Sequence, residues 1–288
     1  MSSTGPDGAP GWALVRWAEP GDGADVWRRA LAARLRDGGA DDGAGEAWAR
    51  WQRLIERADA GTPVDVLLPA AGRSVGRGPL VPGADPLGPE GLLGTVDDLA
   101  RALLVVDAVA AGRASTGGVT ALHERADATE RRGLLRSAAA LPAGAVPAAL
   151  VEDALRANDT RLVAAAVGPC ADVLADEVWR HAVLKCLFVG VPLSCVHRLA
   201  DRADERLAEM VARYVAERVA AGRPVPADVP SVLPPGSPAL AQAGLDDAAA
   251  RGAPDRLAAA AAARALLGVT PPAHRPPAHR PSDEETRR

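Results

Sequence analysis

The residue whose type and setting are best suited to chemistry is Lys185, the only lysine among 33 basic residues. It lies in the segment DEVWRHAVLKCLFV, residues 176–189, whose apolar positions predict a helix that is buried on most sides. A lysine in that setting must reach water along its stem, pair with a carboxylate or lose its proton. The alternatives are therefore a structural ion pair, a ligand-facing ammonium, and an amine that acts as nucleophile or acid/base group.

A second polar segment, LVEDALRANDT, occupies residues 150–160 and precedes Lys185 by one helical repeat. Asp153 and Arg156 have the spacing of an ordinary helix ion pair. Asn158, the only asparagine, stands where the helix ends, so a left-handed cap or turn explains it. We expect Asp153 to be the partner of Lys185, and we include Asp153, Arg156 and Asn158 among the candidate ligand-binding residues.

Arginines alternate with glycines in the segment PAAGRSVGRGPL, residues 69–80. Glycine lets the backbone approach a ligand closely, and the guanidinium of Arg73 or Arg77 offers a planar fork to a carboxylate or phosphate. The segment lacks the spacing of a nucleotide-binding P-loop, and no strand precedes it. An anion cradle and an ordinary surface loop remain the two interpretations.

The segment RADERLAEMVARYVAERVAAGR, residues 202–223, supplies the last two candidates, Arg202 and Asp204. Asp204 is placed to cap a helix with Leu207, Met210, Val211 and Tyr214 on its core face. No catalytic triad order, metalloprotease motif, calcium loop or dinucleotide fingerprint occurs, so no catalytic residue, metal ligand or cofactor is predicted. His274 and His279 lie in a polar tail that is not preorganised for a metal ion.

Helical spacing of apolar residues positions all these segments, and no alternating strand pattern competes with it. The fold class is all-α, either as stacked antiparallel helical pairs resembling a HEAT or armadillo α-solenoid or as an irregular helical bundle. The predicted helices cover residues 25–36, 46–58, 64–71, 95–111, 119–125, 129–140, 146–157, 160–167, 176–189, 193–199 and 205–221. Thr95 and Asp98 are placed to form a capping box, and one face of the helix over 176–189 carries Trp179, Ala182, Val183, Cys186, Leu187 and Gly190.

The segments between and beyond these helices are predicted as follows. Residues 38–45 form a linker, and residues 72–94 form a long loop rich in glycine and proline. The alanine run in residues 252–267 is compatible with an isolated helix that is marginal on its own.

Composition restricts the partners. The net charge of −4 and the absence of a basic stripe argue against nucleic acid as a partner. No apolar run is long enough to span a membrane and the N-terminus does not resemble a signal peptide, so we expect a cytoplasmic protein that reaches a membrane only through partners. Three sparse cysteines without a CxxC pair fit a reducing compartment. The predicted organisation is a flexible segment 1–23, a helical domain 24–233, and a Pro/Ala-rich, mostly disordered tail 234–288.

Several segments, read in order, resemble the EboA family of metabolite traffic proteins. The similar stretches are VLLPAAGRSVGRGPL, TVDDLARALL, LVEDALRANDTRLVAAAVGP, WRHAVLKCLFVGVPL and RADERLAEMVARYVAERVAAGRPV, and the resemblance extends over about residues 24–233. Carried onto this chain, the family's recurring positions include Arg73, Arg77, Lys185, Arg202 and Asp204. The chain departs from the family at residues 198–200, Arg-Leu-Ala, where the family often has Gly-Leu-Asp.

The resemblance implies a role in a gene cluster that matures or exports a secondary metabolite, without an assigned reaction. Three hypotheses follow. The first is a non-catalytic binding or adaptor protein for an anionic or aromatic secondary metabolite, or for other proteins of its cluster. The second is an enzyme of the cluster that uses the amine of Lys185, and the third is a purely structural scaffold.

Overall fold

The structure is a computed structural model that describes residues 23–37, 44–85, 88–242 and 254–269. Most of the segment predicted to be flexible at the N-terminus, most of the linker predicted around residues 38–45, and His274 and His279 lie outside the described residues. The described part divides into two compact units, with the boundary after Leu199.

The regular elements of the described residues are helices, accompanied by one isolated bridge between Pro79 and Thr95. The all-α prediction is therefore confirmed. The helices up to Leu199 are α1 Gly23–Asp37, α2 Ala44–Asp59, α3 Val64–Val75, α4 Pro89–Leu92, α5 Val96–Ala110, α6 Thr116–Arg125, α7 Ala128–Ser137, α8 Ala148–Arg156, α9 Thr160–Ala166 and α10 Asp176–Val189, with 3-10 turns at Pro169–Val173 and Leu193–Cys195.

The centre of the first unit is a row of helices in which α5 packs on both α3 and α7, and α7 packs on α9. Helix α5 begins at a capping box, because Thr95 accepts a hydrogen bond from the Asp98 amide while the Asp98 carboxylate accepts one from the Thr95 amide, as the sequence predicted. Its side chains are buried on nearly every side, including Leu99 and Leu103. Helix α5 is thus the core element of the unit.

The second unit is built on α12, Glu205–Ala220, which Asp204 caps by accepting a hydrogen bond from the Leu207 amide at 2.9 Å. The predicted cap is confirmed, and Leu207, Val211 and Tyr214 are buried as expected, whereas Met210 is only half-buried. The other elements are α11 Leu199–Arg202, which begins at the boundary, the 3-10 turn Val229–Ser231, α13 Pro238–Gln242 and α14 Pro254–Leu267.

Three local predictions are wrong. The loop expected over residues 72–94 is partly helical, because α3 continues to Val75 and α4 follows. The single helix expected over 193–199 is a 3-10 turn followed, after a break, by α11. The alanine-rich helix near the C-terminus, expected to stand isolated, packs on α12 through a face that includes Ala260, Ala263 and Leu267.

Helix α10 has the predicted bounds, but it is not buried on most sides. The predicted core face is confirmed at Trp179, Val183 and Cys186. The opposite side carries Phe188, which is 60% exposed, and the half-buried Lys185. The amphipathic arrangement places Lys185 at the edge of the core, where its ammonium can reach a neighbouring helix.

Candidate functional site

Lys185 binds the C-terminal end of α8. Its Nζ donates hydrogen bonds to the carbonyl oxygens of Leu155, at 2.5 Å, and Ala157, at 2.8 Å. The last carbonyls of a helix have no partner within the helix, and a positive charge is favourable there. Lys185 therefore acts as a side-chain cap that ties α10 to the end of α8.

The predicted ion pair between Lys185 and Asp153 is wrong. The Asp153 carboxylate accepts hydrogen bonds from Arg131 of α7, at 3.1 Å, and from Arg156 one turn later in α8, at 3.2 Å. The lysine binds the backbone carbonyls of Leu155 and Ala157 instead. Asp153, Arg156 and Lys185 still belong to one region, the end of α8.

The left-handed conformation predicted for Asn158 is also wrong. Among the described residues, Arg198 is the non-glycine residue with positive φ, at 52°. The turn between α8 and α9 is explained by Asp159, which caps α9 by accepting hydrogen bonds from the amides of Arg161, at 2.9 Å, and Leu162, at 3.3 Å. Asn158 itself is exposed beside that cap.

The segment in which arginines alternate with glycines is partly helical, not wholly a loop as predicted. Arg73 lies exposed in the last turn of α3, and Gly76, with a φ of 84°, ends that helix. A Cβ placed on Gly72 would lie 3.0 Å from Nε of Arg77, 3.2 Å from Nη2 of Arg101 and 3.5 Å from Oδ2 of Asp97. Arg77 therefore stands beside the buried ion pair of Asp97 and Arg101, and a side chain at position 72 would require these groups to shift by a few tenths of an ångström. Anion binding by Arg73 and Arg77 stays a prediction.

That ion pair is part of a buried charge cluster that the sequence did not reveal: Asp97, Asp98, Arg101, Arg132 and Arg136, each at most 5% exposed. Arg101 pairs with Asp97 and donates to the Leu68 carbonyl at 3.1 Å. Its Nε bond reaches from α5 to α3, so the guanidinium joins the two helices as well as neutralising Asp97.

On the other side of the cluster, Asp98 forms ion pairs with two arginines of α7, Arg132 and Arg136. Nε of Arg132 lies 3.1 Å and 3.3 Å from the two carboxylate oxygens, and Nε of Arg136 lies 3.7 Å from Oδ2. Arg136 also donates to the Leu92 carbonyl at 2.8 Å, while burial lowers its pKa. A single carboxylate thus caps α5 and is the shared counter-charge of two buried guanidinium groups.

Close approach of α5 and α7 depends on Gly133. A Cβ at this position would lie 2.5 Å from Cβ of Arg101. Arg101 therefore passes between two glycines, Gly72 of α3 and Gly133 of α7, which explains how a side chain of this size is accommodated where three helices meet.

The cavities formed by the described residues of the first unit include two candidates for ligand binding. The first, of about 220 Å³, is formed by the loop between α7 and α8 and the 3-10 turn at Pro169–Val173, and we call it the α7–α8 cavity. The second, of about 290 Å³, lies between the α2–α3 corner and α5, where Arg113 donates to the Ala58 carbonyl at 2.8 Å. Neither cavity is lined by Arg73, Arg77 or Lys185.

The chain was compared with known proteins. Residues 91–233 match the model of the family described as Metabolite traffic protein EboA. The chain belongs to the EboA family. Searches of curated proteins and of solved structures find no match.

The EboA match separates the candidate residues into two groups. Asp153, Arg156, Asn158, Lys185, Arg202 and Asp204 lie within the matched residues, whereas Arg73 and Arg77 precede them. Arg202 and Asp204 belong to the second unit. The α7–α8 cavity lies wholly inside the EboA match, so it shares that part of the chain with Lys185.

The chain departs from the usual EboA sequence at Arg198, where the structure shows an unusual backbone conformation. The positive φ of Arg198 suits glycine, the residue that the resemblance leads us to expect there. The arginine side chain lies 3.7 Å from Asp172, which also lies 3.6 Å from His197. An ion pair thus accompanies the backbone conformation that glycine would adopt more easily.

The described residues show two further absences. They include no helix that combines the length and apolar character needed to cross a membrane. They also include no group of three or more histidine, cysteine, aspartate or glutamate residues placed to hold a metal ion.

Proposed function

We propose that this EboA-family chain is a cytoplasmic, non-catalytic binding or adaptor protein that serves the maturation or export of a secondary metabolite. Its partners would be a small metabolite, for which the sequence suggests anionic or aromatic character, and other proteins of its gene cluster. It would meet a membrane only through those partners.

The observation that carries the proposal is the engagement of Lys185. An amine nucleophile needs a free lone pair, whereas this ammonium donates hydrogen bonds to two carbonyl oxygens of another helix. The residue best suited to chemistry is thus occupied in holding α8 and α10 together. Together with the match to a metabolite traffic family, this favours binding over catalysis.

Native mass spectrometry of the chain, isolated from a host that expresses the whole cluster, tests the proposal. We expect the chain to retain a small molecule or a cluster protein that is absent when the same chain comes from a host without the cluster. Repeated isolation with neither would contradict the proposal.

Borohydride trapping with candidate carbonyl substrates tests the remaining enzymatic hypothesis. A non-catalytic chain gives equal labelling in the natural protein and in Lys185→Arg. Labelling that depends on Lys185 would show an imine-forming amine and overturn the non-catalytic assignment.

A further inference from the structure

We infer that the α7–α8 cavity is a binding site for a small apolar ring that carries one hydrogen-bond donor, a hydroxyl or an amino group, and that the site discriminates against anions. The inference rests on the proposed function and deepens it, since it names a ligand class and a place for it. It also replaces the anionic class that Arg73 and Arg77 suggest.

The size of the cavity sets the first limit. Its volume of about 220 Å³ exceeds the roughly 150 Å³ of an engineered cavity that binds benzene. It lies below the roughly 300–1,000 Å³ of pockets that enclose drug-sized ligands. The site therefore accepts one ring with a short substituent, or one end of a longer molecule.

The floor of the cavity is apolar and uncharged. Leu141, Ala145, Val146 and Cys170 are buried, whereas Pro142, Ala143 and Gly144 form an exposed rim. The thiol of Cys170 donates to the carbonyls of Ala165 and Ala166, and burial raises its pKa to about 12. The floor consequently offers dispersion contacts and no competing charge.

Asp172 is the one lining side chain with a formal charge. His197 and Arg198 lie 3.6 Å and 3.7 Å from its Oδ2, which is longer than a hydrogen bond, so the carboxylate keeps acceptor capacity. The buried guanidinium of Arg136, whose charge acts on the Cys170 thiol, is already engaged by Asp98 and the Leu92 carbonyl. A donor group on the ligand therefore gains a hydrogen bond at Asp172. A carboxylate meets the like charge of this exposed side chain, which the ion pair with Arg198 reduces but does not replace.

The second cavity has the opposite character, because its one charged lining residue is Arg113. An experiment that only detects binding would confuse the two cavities. The experiment therefore needs a separate signal from each cavity. The backbone amide of a glycine can supply it, because Gly144 lies on the rim of the α7–α8 cavity and Gly61 lines the second.

The test is a titration of the isotope-labelled full chain with phenol and, separately, with benzoate, followed through the backbone amide signals of Gly144 and Gly61. We expect phenol to shift the Gly144 signal at concentrations at least about ten-fold lower than benzoate, because like charges disfavour the anion. In Asp172→Asn the two concentrations should come within about three-fold of each other. Glu46→Gln, which removes one exposed carboxylate from α2, should leave the preference unchanged.

Equal shifts of Gly144 by phenol and benzoate in the natural chain, or no shift by either, would overturn the inference. So would an unchanged preference in Asp172→Asn whose remaining amide signals match those of the natural chain. These outcomes are separable from the proposed function, because the titration needs no cluster. Phenol binding without any retained cargo in mass spectrometry would contradict the function and leave the site standing.

Discussion

Two helix contacts in the first unit differ in how deeply their charged side chains are buried and in what those side chains bind. Where α5 meets α7, the charged groups are almost fully buried, and Asp98 alone serves two arginines. Where α10 meets the end of α8, the half-buried Lys185 finds backbone carbonyls, and the nearby ion pairs of Asp153 are partly exposed. The difference teaches that burial decides how much unfolding free energy is lost when a charged group is removed. The loss is large where the remaining partner stays buried, and it is small where water can solvate that partner.

The strongest test of the comparison is Asp98→Ala. Removing this carboxylate leaves Arg132 and Arg136 buried without their shared counter-charge, which costs about 3–5 kcal/mol in the free energy of unfolding. Denaturant unfolding measures the loss. Asp59→Ala removes an exposed carboxylate that lies 3.6 Å from Arg113 and should cost at most about 1 kcal/mol. Equal losses would remove the distinction between buried and exposed pairs.

Gly133→Ala tests the packing that makes the buried contact possible. The Cβ of the new alanine would lie 2.5 Å from Cβ of Arg101, so α5 and α7 must move apart. We expect this to lower the free energy of unfolding by about 1–3 kcal/mol. Gly45→Ala is the matched control, since it lies in α2 with nothing within 4 Å of an added Cβ. It should stabilise the chain by about 0.4–1 kcal/mol. Thermal unfolding of both variants checks the opposite signs, and a neutral Gly133→Ala would contradict the close approach.

Lys185→Met breaks the second contact. It leaves the carbonyls of Leu155 and Ala157 without the ammonium, which costs about 1–3 kcal/mol. Lys185→Arg keeps a cation and should lose less. Hydrogen exchange at the end of α8 localises the effect, and a loss in Lys185→Met no larger than in Lys185→Arg would show that the cap contributes nothing.

The smallest predicted effect is a pH dependence of stability that comes from His123 of α6, which lies near Arg131 and Asp153. Burial, followed by repulsion from Arg131, lowers its pKa from the ordinary 6.5, with Asp153 and Glu124 acting in the opposite direction. The folded chain therefore binds fewer protons than the unfolded one, so stability is greatest above about pH 6.5 and is lost as the pH falls below that value. Denaturant midpoints between about pH 7 and 5 measure this, and His123→Gln should flatten the profile. An unchanged profile in that variant would assign the dependence to other groups.

The sequence predicted much of the fold because local signals agreed with packing. The capping box at Thr95 and Asp98, the cap at Asp204 and the core face of α10 each depend on residues within a few positions of one another. Such arrangements are visible in the order of residues. The helical bounds from Val96 to Val167 were close for the same reason.

The buried charge cluster could not be derived in the same way. Asp97 and Asp98 stand in the first turn of a helix, where acidic residues are ordinarily solvated caps. One signal was present: a helix that is apolar on most sides also buries its charged residues, so Arg101 needed a partner. The identity of that partner, and of the carbonyls that bind Lys185, depends on contacts between elements that spacing along the chain does not encode.

The cap formed by Lys185 has a kinetic consequence. Acylating reagents attack an accessible, unprotonated amine, so Nζ must first leave the carbonyls of Leu155 and Ala157. Because no other lysine side chain exists in the chain, the acylation rate at this one position, compared with that of a free lysine, reports how often the end of α8 opens. A single chemical modification thereby becomes a measure of local fraying at one chosen helix end.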